Sequence, residues 1–302
     1  MKLALVVVGL FGCRAPAAPV TRLGACAAPL PLLAKQHSPN NSKLYLATFD
    51  GVAVGAPRLA TAKRGYVNQP AFAGDGLYFT WRPEGSQADI WFHDLRTNDE
   101  RAITCTSEEE YGASATPDHH LSVIRVEPNL DRRLVVLDAA GAPARTLFPS
   151  LAMVGAYRWA DEHTVALMVS KPDGSESKLV LGDPGTGAIV PVAEEVGGAL
   201  AVIPSAHALS YVDMAGERPT LMRLDLATRA TTKLVELPDG VDTVAWLGDG
   251  SALAGSGNRI VRWKSGAVGW QDIAQLSLEG PIARVVVSPD ERTLAIVVKE
   301  PR

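Results

Sequence analysis

The sequence predicts an all-β chain folded as a six-bladed β-propeller of four-stranded antiparallel blades. Three observations carry that expectation. A turn residue in a matching context returns at Asp75, Asp118, Asp161, Ser205, Asp249 and Asp290, with gaps of 43, 43, 44, 44 and 41 residues, and periods of this size filled with strands indicate propeller blades. Each full period contains four short alternating runs, the pattern of a half-buried strand, whose successive side chains point to opposite faces. The final period stops after two runs, and two runs of the missing kind stand near residue 42.

The elements follow in order. An inner strand precedes each turn: QPAFA, SAT, AYRWA, LAVIP, TVAWL and ARVVVS. The turn in the first of these periods holds Asp75-Gly76 between alternating apolar runs, a hairpin signature. A second strand follows the turn: LYFTW, LSVIRV, TVALMV, ALSYV, SALAG and TLAIVV. The third strand alternates and often ends in Asp, as in DIWFHDL, RRLVVLD, SKLVLGD, PTLMRLD and NRIVRWK. The fourth comes after a short polar turn, in RAITCT, ARTLF, GAIVPVA, TTKLVEL and DIAQLSL. The sixth blade opens at Ile282, and its third and fourth strands are expected at Ser42–Asp50 and Ala56–Thr61. Joining the two ends in one blade closes the ring and leaves no long unpaired edge.

Composition narrows the class of function. The 302 residues are 47% hydrophobic and carry a net charge of −4, an ordinary globular balance able to bury a large core. The 29 Lys and Arg are scattered, so the clustered basic footprint of a nucleic-acid binder is missing. Residues 1–12 pair Lys2 with an apolar run from Leu3 to Phe11, too short to span a bilayer as a helix but suited to a secretory h-region. Residues 13–41 are rich in Ala and Pro without helical or strand period and read as a tether; the propeller is expected over 42–302. Leu10-Phe11-Gly12-Cys13 resembles the lipobox of bacterial lipoproteins, which implies diacylation at Cys13 and anchoring to a membrane by the N-terminal lipid. A plain cleaved signal is the alternative, and Leu23-Gly24-Ala25-Cys26 is a second lipobox candidate. Arg14 after the lipidated Cys implies, by the same resemblance, the outer membrane of a Gram-negative envelope. In an oxidising periplasm Cys26 and Cys105 can bridge, the alternative being two thiols with Cys105 inside a strand.

Segments such as Pro70-Ala71-Phe72-Ala73-Gly74-Asp75-Gly76, Asp89-Ile90-Trp91-Phe92-His93-Asp94-Leu95 and Val287-Ser288-Pro289-Asp290 resemble the WD40-like repeat of TolB-type six-bladed propellers. The resemblance covers about residues 42 to 300. It implies fold more than function, and this chain is expected to lack the N-terminal α/β domain of TolB. Prolyl oligopeptidases use a similar propeller to gate a hydrolase domain, but no G-x-S-x-G elbow is present here.

Candidate sites are few. His120, His163 and His207 each stand two residues after a turn anchor, on consecutive blades roughly 10 Å apart if packed sheets set the spacing, too far to share one metal ion; they are expected to be turn residues, as is His119. No C-x-x-C or Cys/His ligand spacing calls for a metal or cofactor. The loops leading from one blade to the next carry Glu108, Glu109, Glu110, Glu194, Glu195, Asp239, Asp242 and Glu279, interrupted by Lys63 and Arg64 at another junction. A collar of carboxylates around a channel mouth would attract a cation or a basic peptide, whereas surface loops are polar in any case. The expectation is a non-enzymatic, monomeric scaffold anchored in the envelope that presents this face to a protein partner. The alternative is a periplasmic enzyme or a binder of a small sugar or peptide at the channel mouth.

Overall fold

The computed structural model describes residues 41–171, 173–204 and 206–301. They form 24 strands in six separate four-stranded antiparallel sheets. The N-terminal strands are β1 (Ser42–Thr48) and β2 (Arg58–Leu59). Blade one holds β3 (Tyr66–Ala73), β4 (Gly76–Arg82), β5 (Asp89–Asp94) and β6 (Glu100–Ala102), and blade two β7 (Glu110–Ala115), β8 (Leu121–Val126), β9 (Arg132–Leu137) and β10 (Pro143–Leu147). Blade three holds β11 (Val154–Trp159), β12 (Val165–Ser170), β13 (Ser177–Gly182) and β14 (Ile189–Glu194), and blade four β15 (Val196–Ile203), β16 (Ala208–Asp213), β17 (Thr220–Asp225) and β18 (Thr231–Glu236). Blade five holds β19 (Ala245–Trp246), β20 (Ala252–Ser256), β21 (Arg259–Trp263) and β22 (Gln271–Gln275). Blade six joins β23 (Ile282–Val287) and β24 (Thr293–Lys299) to the first two strands in the order β2-β1-β24-β23. The two-plus-two closure is therefore present.

Six apolar clusters hold the ring together, one between each pair of neighbouring blades. Because strand side chains alternate, one strand serves two clusters. In β24, Leu294, Ile296 and Val298 pack toward blade five, while Ala295 and Val297 pack toward blade one. Polar groups stitch the same interfaces. The Trp159 indole donates to Ser122 Oγ at 2.9 Å, and Trp246 makes the equivalent 2.8 Å bond to Ser210 Oγ two blades on.

The recurring Asp residues have a local cause. Asp94, Asp183 and Asp225 end third strands and accept hydrogen bonds from backbone N–H groups two and three residues on, closing the turn to the fourth strand. Those donors hold the three carboxyls below the usual range, that of Asp225 at about 2. At the other turns, Asp161 accepts from the N–H of His163, and Asp118 accepts from Thr116 Oγ1 at 2.5 Å. Ser205 lies outside the described residues. Gly76 is needed for a different reason than the Asp-Gly hairpin rule supplies: the positive φ, 55°, falls at Gly74, whereas a Cβ on Gly76 would meet the Phe92 ring at 2.0 Å.

The strand bounds differ from expectation at several places. The outer strand of blade six is only Arg58–Leu59, and the inner strand of blade five only Ala245–Trp246. The inner strand of blade two starts at Glu110, ahead of the expected SAT run, and takes a bulge between Tyr111 and Ser114 that breaks the simple alternation. β6 stops at Ala102, so Cys105 is an exposed loop residue and not a strand residue. Cys105 is disulfide-bonded. Cys13 and Cys26, the expected leader at 1–12 and all but the last residue of the expected tether at 13–41 lie outside the described residues.

Leu44 in β1 is fully buried and Leu59 in β2 is 48% exposed. Leu44→Ala should therefore lower the unfolding free energy by about 2–5 kcal/mol. Leu59→Ala should cost less than about 1 kcal/mol. Urea titration of both variants checks the difference.

Candidate functional site

The blade-to-blade loops and the loops between second and third strands share one face. On it, the loop from β6 to β7 is held by its own contacts. Thr106 Oγ1 donates to Glu110 Oε1 at 2.5 Å, and Gln87 Nε2 reaches across to the carbonyls of Thr106 and Glu108 at 2.6 and 3.3 Å. Two arginines at the ends of second strands then meet the three consecutive glutamates. Arg82 pairs with Glu109 at 2.5 Å, and Arg125 pairs with Glu108 at 2.5 Å and Glu110 at 3.0 Å.

This arrangement changes the picture of an acidic collar. Glu109 and Glu110 are buried, and five of the eight expected carboxylates have a basic partner, because Asp239 pairs with Arg218 at 2.9 Å and Glu279 with Lys43 at 2.8 Å. The three with no basic partner within 4 Å among the described residues are Glu194, Glu195 and Asp242, all exposed. Lys63 is also engaged. Its Nζ is 3.1 Å from Glu100 and 3.5 Å from the Trp91 ring centroid, with Trp81 at 4.5 Å, a cation–π seat that covers the two indoles. The Arg64 carbonyl accepts from the Trp81 indole at 2.8 Å.

The carboxyls of Glu110 and Asp89 sit together behind this loop. Burial pushes Glu110 up to about 7, outweighing the pull of Thr106 and Arg125, and Asp89 adds to the rise. Glu110 Oε2 has no hydrogen-bond partner among the described residues, which explains why desolvation wins over one good ion pair. Burial likewise raises Asp89 to about 6, against the hydrogen bonds it accepts from Thr104 and Gln87.

Other expected residues fall elsewhere. His120, His163 and His207 are exposed turn residues on the opposite face, while the buried histidine is His93, whose Nδ1 lies 3.4 Å from Glu100. Among the described residues no three His, Cys, Asp or Glu side chains group closely enough to hold a metal ion. Two grooves stand out among the described residues, the second reaching the loop face at Arg218 and Pro238. One of about 230 Å³ between Arg145, Trp159 and Glu162 opens on the opposite face, and one of about 580 Å³ beside Leu234 and Trp270 lies on the outer rim.

Two arginines on inner strands went unread in the sequence. Arg158 in β11 donates from Nε to the Leu200 carbonyl at 3.4 Å, and Arg284 in β23 donates from Nε to Asn68 Oδ1 at 3.3 Å. The signal was there, since each is a charged residue inside an otherwise apolar inner-strand run, YRW and ARV.

Comparison with solved structures gives the same architecture. A protein assigned as TolB from Agrobacterium tumefaciens superposes with a TM-score of 0.68 at 10% identity, covering 87% of this chain and 100% of that one. The chain has the TolB-type six-bladed propeller fold. TolB from Acinetobacter baumannii aligns at a TM-score of 0.58 and 13% identity over 86% of this chain, which spans 65% of the length of that protein. A gluconolactonase from Xanthomonas campestris aligns at 0.63 and 12% identity, over 87% of this chain and 98% of the enzyme. Identities this low establish the fold alone, which hosts both binding proteins and enzymes. No family model and no curated protein sequence matches the chain.

The raised carboxyl of Glu110 sets a pH dependence. A carboxyl whose folded pKa exceeds its unfolded value stabilises the fold below the unfolded pKa, and that contribution is lost as pH rises through the folded pKa. Stability should therefore fall between about pH 4.5 and pH 7 by something on the order of 1–3 kcal/mol. Glu110→Gln, which removes the titration, should flatten that slope and exceed the native protein in stability at pH 8. Urea unfolding of both proteins at pH 5 and pH 8 checks it.

Proposed function

We propose that the protein is a non-enzymatic scaffold of the bacterial cell envelope that binds a protein partner through its inter-blade loop face. The observation that carries this reading is an apolar side chain framed by unpaired acids. Met214, 47% exposed, sits in the loop after β16, and its backbone N–H donates to the Glu195 carbonyl at 2.8 Å. Glu194 and Glu195 flank it on the neighbouring strand connection, and Asp242 follows at the next junction. Leu130, 62% exposed, adds a second apolar side chain on the same face in blade two. Apolar contact at the centre with a charged rim is the composition of a protein interface, and the acids select a partner segment that is basic as well as apolar.

Rigidity supports the same reading. The paired Arg82, Glu109, Arg125 and Glu110 fix one junction of the face, so little ordering entropy is lost on binding there. Lipidation at Cys13 and the 13–41 tether would hold the propeller at the outer membrane as a monomer. With Cys13 lipidated, Cys26 is the cysteine left to pair with Cys105, which would tie the tether to the loop face. An enzyme or small-ligand binder at the channel mouth has one observation in its favour, the two inner-strand arginines.

The test places a photo-crosslinking amino acid at Glu195 or, as a control, at Asp118 on the opposite face, in living cells of the source organism. The reading expects a discrete protein adduct from position 195 and none from 118. Combining Glu194→Gln and Asp242→Asn should lower the adduct yield about fivefold at low salt and less at high salt. Equal adducts from both faces, or none from an abundant membrane-bound protein, would contradict it.

A further inference from the structure

The geometry points to a second site: we propose that Arg158 and Arg284 bind a small oxyanion of charge two inside the channel, a phosphate or a dicarboxylate held between two guanidinium groups. The arginines stand on β11 and β23, the inner strands of blades three and six, which face each other across a six-membered ring. Both are partly shielded from solvent, and neither has a carboxylate within 4 Å among the described residues. The sheltered arginines Arg82, Arg125 and Arg262 behave differently, each meeting an acid at 3.0 Å or less.

Each channel guanidinium is pinned by its Nε to the inner strand of the next blade, at Leu200 and Asn68. No protein acceptor among the described residues takes the terminal nitrogens of either group, although a guanidinium carries five donors in a fixed fork. Two such forks leave their donors to whatever enters the channel, and the planar fork matches carboxylate and phosphate oxygens two at a time.

Electrostatics agrees with the geometry. Burial lowers the proton affinity of both guanidiniums; at Arg158 the Tyr157 phenol opposes this and the positive charge of Arg284 adds to it. Tyr66 and the exposed Asp242 act on Arg284 in the opposite sense. A partly buried charge without a counterion carries a desolvation cost, and a pair of like charges adds to it; a bound dianion offsets both. Burial also raises the Tyr66 phenol, against the pull of Arg284 and a hydrogen bond with the Asn68 side chain.

The experiment is titration calorimetry on the full chain, with inorganic phosphate in one arm and malonate in the other, against chloride at matched ionic strength. Saturable one-to-one binding is expected with a Kd below about 1 mM for at least one dianion. Arg158→Gln and Arg284→Gln should each weaken it about tenfold, and the double variant should abolish it. Phosphate alone binding would assign a phosphate-bearing ligand, and malonate alone a dicarboxylate. Thermal melts give an independent reading: the preferred dianion should raise the Tm of the native protein and leave that of the double variant unmoved. Should the Gln variants not fold, Arg158→Lys with Arg284→Lys keeps both charges without the forks and should lose the preference for the dianion over chloride. The proposal is overturned if neither dianion saturates, or if a double variant binds as the native protein does.

Discussion

The pairing of β1 with β24 is the constraint on which the rest of this structure depends. Seven consecutive residue pairs, from Ser42 with Lys299 to Thr48 with Thr293, join segments about 250 residues apart in sequence. Neighbouring contacts reinforce the seam. Ser42 Oγ donates to the Val67 carbonyl at 2.9 Å and accepts from its N–H at 3.1 Å, tying blade six to blade one, while Lys43 reaches Glu279 near blade five. Without the seam, the clusters containing Leu44 and Leu46 on one side and Ile296 on the other would each lose a wall. An open ring would also present the unpaired edge of β24 to solvent, a template for association.

Closure is also what brings charge to the axis. Six inner strands converge on one channel, so any charged residue on them is placed near its counterparts on other blades. On the loop face this convergence is met by pairing, with Arg82 and Arg125 set against three glutamates. The residual cost appears as a carboxyl, Glu110, that burial holds near neutrality. On the inner strands β11 and β23, Arg158 and Arg284 have no such carboxylate partners among the described residues. One fold thus yields a balanced mouth, an exposed acidic and apolar flank around Met214, and a positively charged interior.

The architecture was legible in the sequence because its causes are local and repeated. The Asp turns at Asp94, Asp183 and Asp225 are made by the residues that name them, and the mainly apolar, β-branched run LSVIRV coincides with β8. The supply of the last blade's outer strands by residues 42–61 followed from counting. What escaped reading was whatever depends on residues far apart in the chain. The collar of eight acids was visible as a list, but Arg82 lies 27 residues from Glu109 and Lys43 lies 236 from Glu279. Bulges moved the inner-strand limits, as between Asn68 and Ala71. Arg158 and Arg284 were legible only as interruptions of apolar runs, since their proximity is a product of ring closure.

Native-state hydrogen exchange over β1 and β24 tests the central role of the seam most directly. If closure holds the ring as one cooperative unit, the amides that bond β1 to β24 should exchange only through global unfolding, with the same opening free energy and denaturant slope as those of the inner strands of blades two to four. Exchange of the β1 and β24 amides through a separate opening of lower free energy, while the other blades stay protected, would contradict the account.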